Sequence, residues 1–179
     1  TQSNGFVLNF TVSLKYSMVN EPENYSNKAI LNIIENTEPV TSDNNPQPVH
    51  IIAIMNESFA DFSEYDVPYS ADPTPFLHSL SENTIKGTMY SPVTGGGTAN
   101  VEFEFLTGNS ITFLPANSVA YQLYLKNNTP SLVSQLKSLG YSSVAYHPYK
   151  SSGWNRTSVY KWLGFDKQMY QEDTIDPYY

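Results

Sequence analysis

The sequence GGGTANVEFEFLTG, at residues 95–108, joins a run of three glycines to a short helical pattern. Glycine lets a backbone approach a ligand closely, and an amphipathic run begins at Thr98 and stops at Thr107 and Gly108. The stretch therefore predicts a loop that leads into a helix N-terminus. The free N–H groups and positive dipole end of such a terminus suit a phosphate or sulfate ester. The alternative is a flexible glycine turn with Thr98 as a simple N-cap.

The composition is that of an acidic globular protein. The 179-residue chain is 40% hydrophobic, has a net charge of −8 and contains one arginine, Arg156. This length accommodates one domain with a core. Lysine and arginine are few and unclustered, which argues against a nucleic-acid partner. The absence of cysteine excludes disulfides, thiolate metal sites and a cysteine nucleophile.

The first 47 residues have the pattern of a helical arm and a linker. Apolar residues at three- and four-residue steps over 6–18 predict an amphipathic packing helix. Ser26 is the expected N-cap of a second short helix that reaches residue 34. Residues 36–48 are rich in proline and small polar groups, which is typical of a linker. We therefore expect an arm and linker at 1–47 and a domain at 48–179.

Strand and helix patterns alternate through the second segment. A buried-strand pattern occurs at 49–55 and further strand patterns at 86–90 and 142–146, and helix signals begin at Thr74, Thr98, Thr129 and Thr157. The helix after Thr74 is expected to turn Phe76, Leu77 and Leu80 inward, and the one after Thr129 to end at Gly140. This alternation predicts an α/β domain, a parallel-type sheet with helices on both faces.

Polar residues follow the predicted strands, at the edge where open α/β sheets bind ligands. Glu57 comes after the first strand and His147 after the third, with Trp154 and Arg156 close behind. Glu57 and Thr98 offer the hard oxygen ligands that suit Mg²⁺ or Mn²⁺, and a metal-bound threonine hydroxyl is acidified enough to attack phosphorus. Arg156 suits a phosphate oxyanion, and Trp154 suits the non-reacting end of a substrate.

Each of these residues also has a plain alternative role. Glu57 fits a solvated loop carboxylate, and His147 fits an ordinary histidine at a strand end. Trp154 fits a core aromatic side chain, and Arg156 fits a surface ion pair. Their convergence on one edge of the sheet is what favours a functional site.

Longer motifs resemble the alkaline phosphatase and sulfatase superfamily and, within it, the lipoteichoic acid synthase group. The resemblance covers nearly the whole chain, since the N-terminal arm is similar to the extracellular segment that joins the group's membrane helices to its catalytic domain. The motifs are TPFLHSL at 74–80, LTG at 106–108, IMNESF at 54–59, GGTANVEF at 96–103, WNR at 154–156 and LGFD at 163–166.

The resemblance implies a membrane-anchored enzyme at the extracellular face of the cell membrane in a Gram-positive type bacterium. The threonine matching Thr98 attacks the phosphate of phosphatidylglycerol, releases diacylglycerol and passes phosphoglycerol to a growing glycerolphosphate polymer. The residue matching Glu57 binds Mn²⁺ or Mg²⁺ together with that threonine. Positions matching His147, Trp154 and Arg156 contact the phosphoglycerol group.

The sequence departs from the group's pattern at one point. The group completes its metal site with a late Asp-His pair and a further histidine, and no Asp-His dipeptide occurs here. His50 and His78 are poorly placed to substitute. We therefore expect the chain to hold the N-terminal part of a catalytic domain, with its membrane segments lying elsewhere, and to be weakly active or inactive alone.

One related function is disfavoured and two alternatives remain open. A formylglycine sulfatase is disfavoured because Asn100 and Glu102 stand where the motif needs proline and arginine. Another phosphate or sulfate ester hydrolase or transferase of the same fold is a close rival. A non-catalytic extracellular module that binds glycerolphosphate polymer, or that has a structural role, is the rival from a different class.

Overall fold

The computed structural model of the protein describes residues 5–16, 18–19, 21–38, 48–56, 58–65 and 68–174. Its regular elements alternate between short helices and two short strands. In chain order they are α1 (Gly5–Tyr16), α2 (Asn27–Asn36), α3 (Pro75–Ser79), α4 (Thr98–Thr107), α5 (Ala120–Leu123), α6 (Leu132–Ser138), β1 (Val144–His147), α7 (Arg156–Trp162), β2 (Lys167–Tyr170) and α8 (Gln171–Thr174).

Helices α1 and α2 confirm the two helices predicted near the N-terminus. The Ser26 hydroxyl caps α2 by accepting a hydrogen bond from the backbone N–H of Ala29 at 3.1 Å. The packing role predicted for the first helix is not seen, since Phe6 remains 83% exposed. The linker predicted at 36–48 lies mostly outside the described residues, so the boundary at residue 48 stays a prediction. No helix in the described ranges is long and apolar enough to cross a membrane.

Helix α4 follows the three glycines at 95–97 and ends at Thr107. Gly97, with a φ of 103°, is its N-cap, and Gly108, with a φ of 71°, is its C-cap. Both angles lie in the left-handed region that favours glycine. The loop-to-helix prediction is therefore confirmed, but the N-cap is Gly97 and not Thr98.

Replacing Gly97 by alanine is expected to cost about 1–2 kcal/mol of folding free energy, because an L-residue is strained at this φ. A Cβ atom there would also lie 3.3 Å from Cγ1 of Val93. Gly87→Ala is the matched control, since a Cβ at Gly87 meets nothing within 4 Å. Urea unfolding monitored by circular dichroism measures both variants. Equal stability of the two variants would contradict the left-handed cap.

The core lies between α4, the helices that follow it and the sheet. The Asn100 side chain joins α4 to α5, donating to the carbonyl of Ser118 at 2.9 Å and accepting from the N–H of Ala120 at 2.9 Å. The Ser131 hydroxyl likewise donates to the carbonyl of Leu163 at 2.6 Å. The buried apolar residues are Ala99, Phe103, Leu106, Ala120, Tyr121, Leu125, Val133, Ala145, Val159, Tyr160, Leu163 and Tyr170.

Strands β1 and β2 form a parallel pair, with Val144 opposite Lys167 and His147 opposite Tyr170. The parallel sheet is confirmed, and β1 matches the strand predicted at 142–146. Strand β2 was not predicted. The strands predicted at 49–55 and 86–90 are wrong within the described chain, which has no neighbouring strand there to pair with them.

Three smaller predictions also need correction. Helix α6 begins at Leu132, two residues later than expected, because Ser131 and Ser134 form a reciprocal capping box. Its C-cap is Leu139, one residue before the predicted Gly140. Helix α3 does begin at Pro75, but its Phe76 is 71% exposed and does not face inward.

Candidate active site

Thr98 is the first residue of α4 and its side chain is half-buried. The next two residues, Ala99 and Asn100, are buried, so the first turn of the helix is held against the core. Gly97, whose backbone has a left-handed conformation, immediately precedes this turn. Thr98 therefore lies at the start of a helix with a fixed N-terminus, and its role as a nucleophile stays a prediction.

The predicted metal ligands are only partly described. Thr98 is placed at the helix start, whereas Glu57 lies outside the described residues. Within the ranges that the structure describes, no group of three or more histidine, aspartate or glutamate side chains is arranged to hold a metal ion. A metal site shared by Glu57 and Thr98 therefore stays a prediction, supported by the oxygen chemistry of the two side chains.

Arg156 forms a buried ion pair with Glu102 of α4. The Nη2 atom of Arg156 donates to Oε1 of Glu102 at 2.6 Å, and Nε donates to Oε1 and Oε2 at 3.2 Å. Arg156 is 1% exposed and Glu102 is 7% exposed. Burial alone lowers the pKa of Arg156, but the Glu102 carboxylate more than offsets it and the pKa is raised. Arg156 is thus an internal residue, and the surface ion pair considered from the sequence is wrong.

Two tyrosines complete the surroundings of this ion pair. The Tyr160 hydroxyl donates to Oε2 of Glu102 at 3.0 Å, and its ring packs edge-on against Tyr121, with 6.4 Å between centroids. The Tyr121 hydroxyl is buried without a hydrogen-bond partner in the described part of the chain. Burial first, and then the charge of Glu102, raises the pKa of both hydroxyls. Both tyrosines are neutral at physiological pH.

His147 lies at the carboxyl end of β1 and is half-buried. Its Nδ1 atom is buried and lacks a hydrogen-bond partner among the described residues. Burial, followed by the positive charge of Arg156, lowers the pKa of His147, and the Glu102 carboxylate opposes this in part. The lowered pKa favours a neutral imidazole, and its Nδ1 atom is unpaired within the described chain.

Trp154 and Asn155 form the turn between these elements. Both have left-handed backbones, with φ values of 56° and 59°, a conformation that costs non-glycine residues about 1–3 kcal/mol each. The Asn155 side chain donates to the carbonyl of Tyr121 at 3.4 Å. Trp154 remains 37% exposed, so it is not the core aromatic considered from the sequence. Such strain is concentrated at functional turns.

The three predicted substrate residues lie between positions 147 and 156, with His147 as the last residue of β1, Trp154 in the following turn and Arg156 as the first residue of α7. Glu102 connects this segment to the helix that Thr98 begins. Sequence reasoning missed Glu102 and Tyr160. The available signal was a carboxylate within an apolar helix, together with a single arginine to pair with it.

A second polar cluster surrounds His78 on α3. Its Nδ1 lies 2.8 Å from both carboxylate oxygens of Asp72, and its Nε2 lies 2.6 Å from Oδ2 of Asp61 and 3.2 Å from Oγ of Ser63. A serine, a histidine and an aspartate in this order resemble a catalytic triad. Here, however, both ring nitrogens face carboxylates, so the ring is held as an imidazolium that has no lone pair for a base.

The Asp72 and Asp61 carboxylates raise the pKa of His78, whereas burial lowers that of His147. We therefore expect NMR titration of the histidine rings to place His78 above the ordinary value of 6.5 and His147 below it. Asp72→Asn is expected to lower the His78 value and to leave His147 unchanged. The reverse order of the two histidines would contradict the described contacts.

The directions of these pKa shifts determine how the stability of the fold changes with pH. The His78 contribution is fully present below pH 6.5 and is lost as the pH rises through the raised pKa. Hydrogen bonds from Ser63 and His78 lower the pKa of Asp61 to about 2, so its contribution is lost as the pH falls from 3.8 through that value. For His147, acidification below pH 6.5 destabilises the folded state.

Comparison with known proteins places this geometry in a family. The family profile described as Sulfatase matches residues 49–179. A Rhizobium meliloti protein named for cyclic beta-1,2-glucan modification is 42% identical over 91% of this chain and 25% of its own length. Lipoteichoic acid synthases of Staphylococcus saprophyticus and Staphylococcus aureus are 33% and 32% identical, over 89% of this chain and 26% of their own lengths.

The chain thus spans about a quarter of the length of these curated relatives. A solved structure, the lipoteichoic acid synthase LtaP from Listeria monocytogenes, matches 48% of this chain and 20% of its own at 26% identity, with a TM-score of 0.41. Since the Sulfatase profile covers most of the sequence, the chain belongs to the sulfatase family.

Proposed function

We propose that the protein is a phosphoglycerol transferase of the lipoteichoic acid synthase type, with Thr98 as its nucleophile. The observation that carries the proposal is the position of Thr98 at the glycine-capped start of α4, one helical turn from the buried pair of Glu102 and Arg156. The identities of 33% and 32% with two lipoteichoic acid synthases support this transfer reaction.

The proposed reaction has two displacement steps at phosphorus. The Thr98 oxygen loses its proton and attacks the phosphate of a phosphatidylglycerol-like lipid, while the bond to the diacylglycerol oxygen breaks and that oxygen takes up a proton. Thr98 then carries phosphoglycerol as a phosphodiester. A hydroxyl of the acceptor attacks the same phosphorus, transfers its proton and releases the Thr98 hydroxyl. The acceptor is a growing glycerolphosphate polymer.

The other site residues have supporting roles in this proposal. A divalent metal, Mn²⁺ or Mg²⁺, held by Glu57 and Thr98, would supply the acidification that a threonine hydroxyl needs. In this proposal the neutral His147 and the exposed Trp154 contact the phosphoglycerol group, and the buried Arg156 contacts its phosphate through Nη1, the amino group that Glu102 does not bind. We place the reaction at the extracellular face of the membrane.

A specific observation favours a second candidate acceptor. The relative named for cyclic beta-1,2-glucan modification is 42% identical, which exceeds the identity to the two synthases. The same Thr98 intermediate would then donate to a sugar hydroxyl of a glucan. The polymer that the organism makes would then depend on which acceptor the protein uses.

Transfer from the loaded protein distinguishes the two acceptors. The full-length protein is first incubated with phosphatidylglycerol, and glycerolphosphate oligomer or cyclic glucan is then added separately. Loss of the Thr98 adduct on one acceptor and not the other identifies the function. Hydrolysis of simple phosphate or sulfate esters without any lipid-dependent adduct would instead favour another enzyme of the same family. Binding of glycerolphosphate oligomer without metal affinity would favour a non-catalytic module.

A further inference from the structure

We propose that Glu102 is a positioning residue that fixes Arg156 relative to Thr98. This inference rests on the proposed function, because it assigns Glu102 a part in the transfer at Thr98. Residues four apart lie on the same face of a helix, about 6 Å along its axis. Glu102 therefore lies one turn below Thr98 on α4, with its carboxylate directed into the core, where it is 7% exposed.

The contacts of Glu102 join two elements that are distant in sequence. One carboxylate accepts from Nε and Nη2 of Arg156 and from the Tyr160 hydroxyl, so it holds the first residue of α7 and the residue one turn later. The Tyr160 ring is fixed from its other side by Phe165, with 5.2 Å between centroids. The start of α7 is therefore held against α4 by a rigid buried network.

The geometry of Arg156 shows how this network serves the reaction. Its contact with Glu102 uses Nε and Nη2, whereas a Cβ atom added to Gly153 would lie 3.6 Å from Nη1. The remaining amino group, Nη1, thus lies close to Gly153, the residue that precedes the strained turn at Trp154 and Asn155. Glu102 fixes two donors of the fork and so sets the direction in which the remaining amino group points.

A role that is only structural predicts a different result from a positioning role. If Glu102 only stabilised the fold, folded variants would transfer phosphoglycerol at the normal rate. If it acts through Arg156, its loss slows the chemistry in folded protein, because misplacement of about 1 Å costs up to about 10²-fold in rate. A second change at Arg156 then adds little, since both changes disturb the same group.

The test is a double-mutant cycle in the full-length protein, with Glu102→Gln, Arg156→Lys and the double variant. The measured quantity is the rate at which the Thr98 adduct forms on phosphatidylglycerol in mixed micelles, at saturating lipid. Glu104→Gln is the matched control, because Glu104 is on the same helix but accepts from the N–H of Ile111 at 2.7 Å and from the Ser110 hydroxyl. Circular dichroism establishes that each variant is folded.

We expect Glu102→Gln to slow adduct formation about 10- to 100-fold. The double variant should be no slower than the slower single variant, and Glu104→Gln should stay within about twofold of wild type. A wild-type rate for folded Glu102→Gln, or losses that multiply in the double variant, would overturn the positioning role of Glu102. Either result would leave the proposed function of Thr98 standing. If wild-type protein forms no adduct on Thr98, the proposed function fails as well.

Glu102→Asp provides a second variant in case Glu102→Gln does not fold. It keeps the buried charge but shortens the side chain by one methylene group, so it alters the position of Arg156 and not its charge balance. We expect folded Glu102→Asp to form the adduct at least about fivefold more slowly. Formation at the wild-type rate would contradict the proposal.

Discussion

Replacing Thr98 by alanine is expected to abolish release of diacylglycerol from phosphatidylglycerol by the full-length protein. Removal of a covalent nucleophile costs many orders of magnitude in turnover, and we expect a loss of at least about 10⁴-fold. The folded structure should persist, because Thr98 is half-buried and the N-cap of α4 is Gly97. Lipid extraction after the reaction, with quantification of diacylglycerol, measures the effect.

The same helix offers a matched control. Thr107 is the last residue of α4, and its hydroxyl donates to the carbonyl of Phe103 at 2.7 Å. Thr107→Ala removes an equivalent side chain and two local hydrogen bonds, since the hydroxyl also accepts from the N–H of Asn109 at 3.2 Å, at a cost of about 1–2 kcal/mol of stability. Turnover should remain within about threefold of wild type. Comparable losses in the two variants would mean that the threonine hydroxyl at position 98 has no special role.

Removing Arg156 should destabilise the fold by about 3–5 kcal/mol, because it leaves the Glu102 carboxylate buried without its partner. Arg156→Met tests this most cleanly, since methionine fills much of the same volume. Urea unfolding of the 179-residue chain gives the free energy. If Arg156→Met lost less than about 1 kcal/mol, the pair would not be buried as described.

Two further variants separate the buried pair from ion pairs in general. Lys137 and Asp166 form an exposed salt bridge, with 2.5 Å between Nζ and Oδ1, so Lys137→Met should cost no more than about 1 kcal/mol. Adding Glu102→Leu to Arg156→Met removes the unpaired charge. This double variant should recover most of the stability lost in the single variant.

Local chemistry explains the parts of the fold that the sequence predicts. Ser26 caps α2, and the glycine at position 108 ends α4, as side-chain and backbone preferences require. The apolar run that ends at His147 forms β1. These elements depend on neighbours only a few residues away. They therefore leave clear signals in a single sequence.

Long-range pairing explains the parts that it does not predict. The apolar run at 49–55 has the composition of a buried strand, but in the described chain Ile52 is 84% exposed, because a strand also needs a neighbour to pair with. Strand β2 (Lys167–Tyr170) mixes polar and apolar residues, and its pairing with β1 defines it more than its composition does.

The candidate site divides in the same way. Motifs identify Thr98, His147, Trp154 and Arg156 as candidate site residues, and the structure places the last three at the end of β1, in the following turn and at the start of α7. The pairing of Arg156 with Glu102 is harder to predict, since Glu102 lies 54 residues earlier in the chain and its only signal is a carboxylate within an apolar helix. Only packing of α7 against α4 shows that the single arginine is internal and that a carboxylate orients it.

The proposed function requires Thr98 to form a covalent phosphoglycerol adduct. Its most direct test is peptide mapping by mass spectrometry after the full-length wild-type protein is incubated with phosphatidylglycerol and Mn²⁺. We expect a phosphoglycerol modification on the peptide that contains Thr98, with fragment ions that assign it to that residue. We expect no such modification in Thr98→Ala. An unmodified Thr98 peptide during active turnover, or a modification that persists in Thr98→Ala, would contradict it.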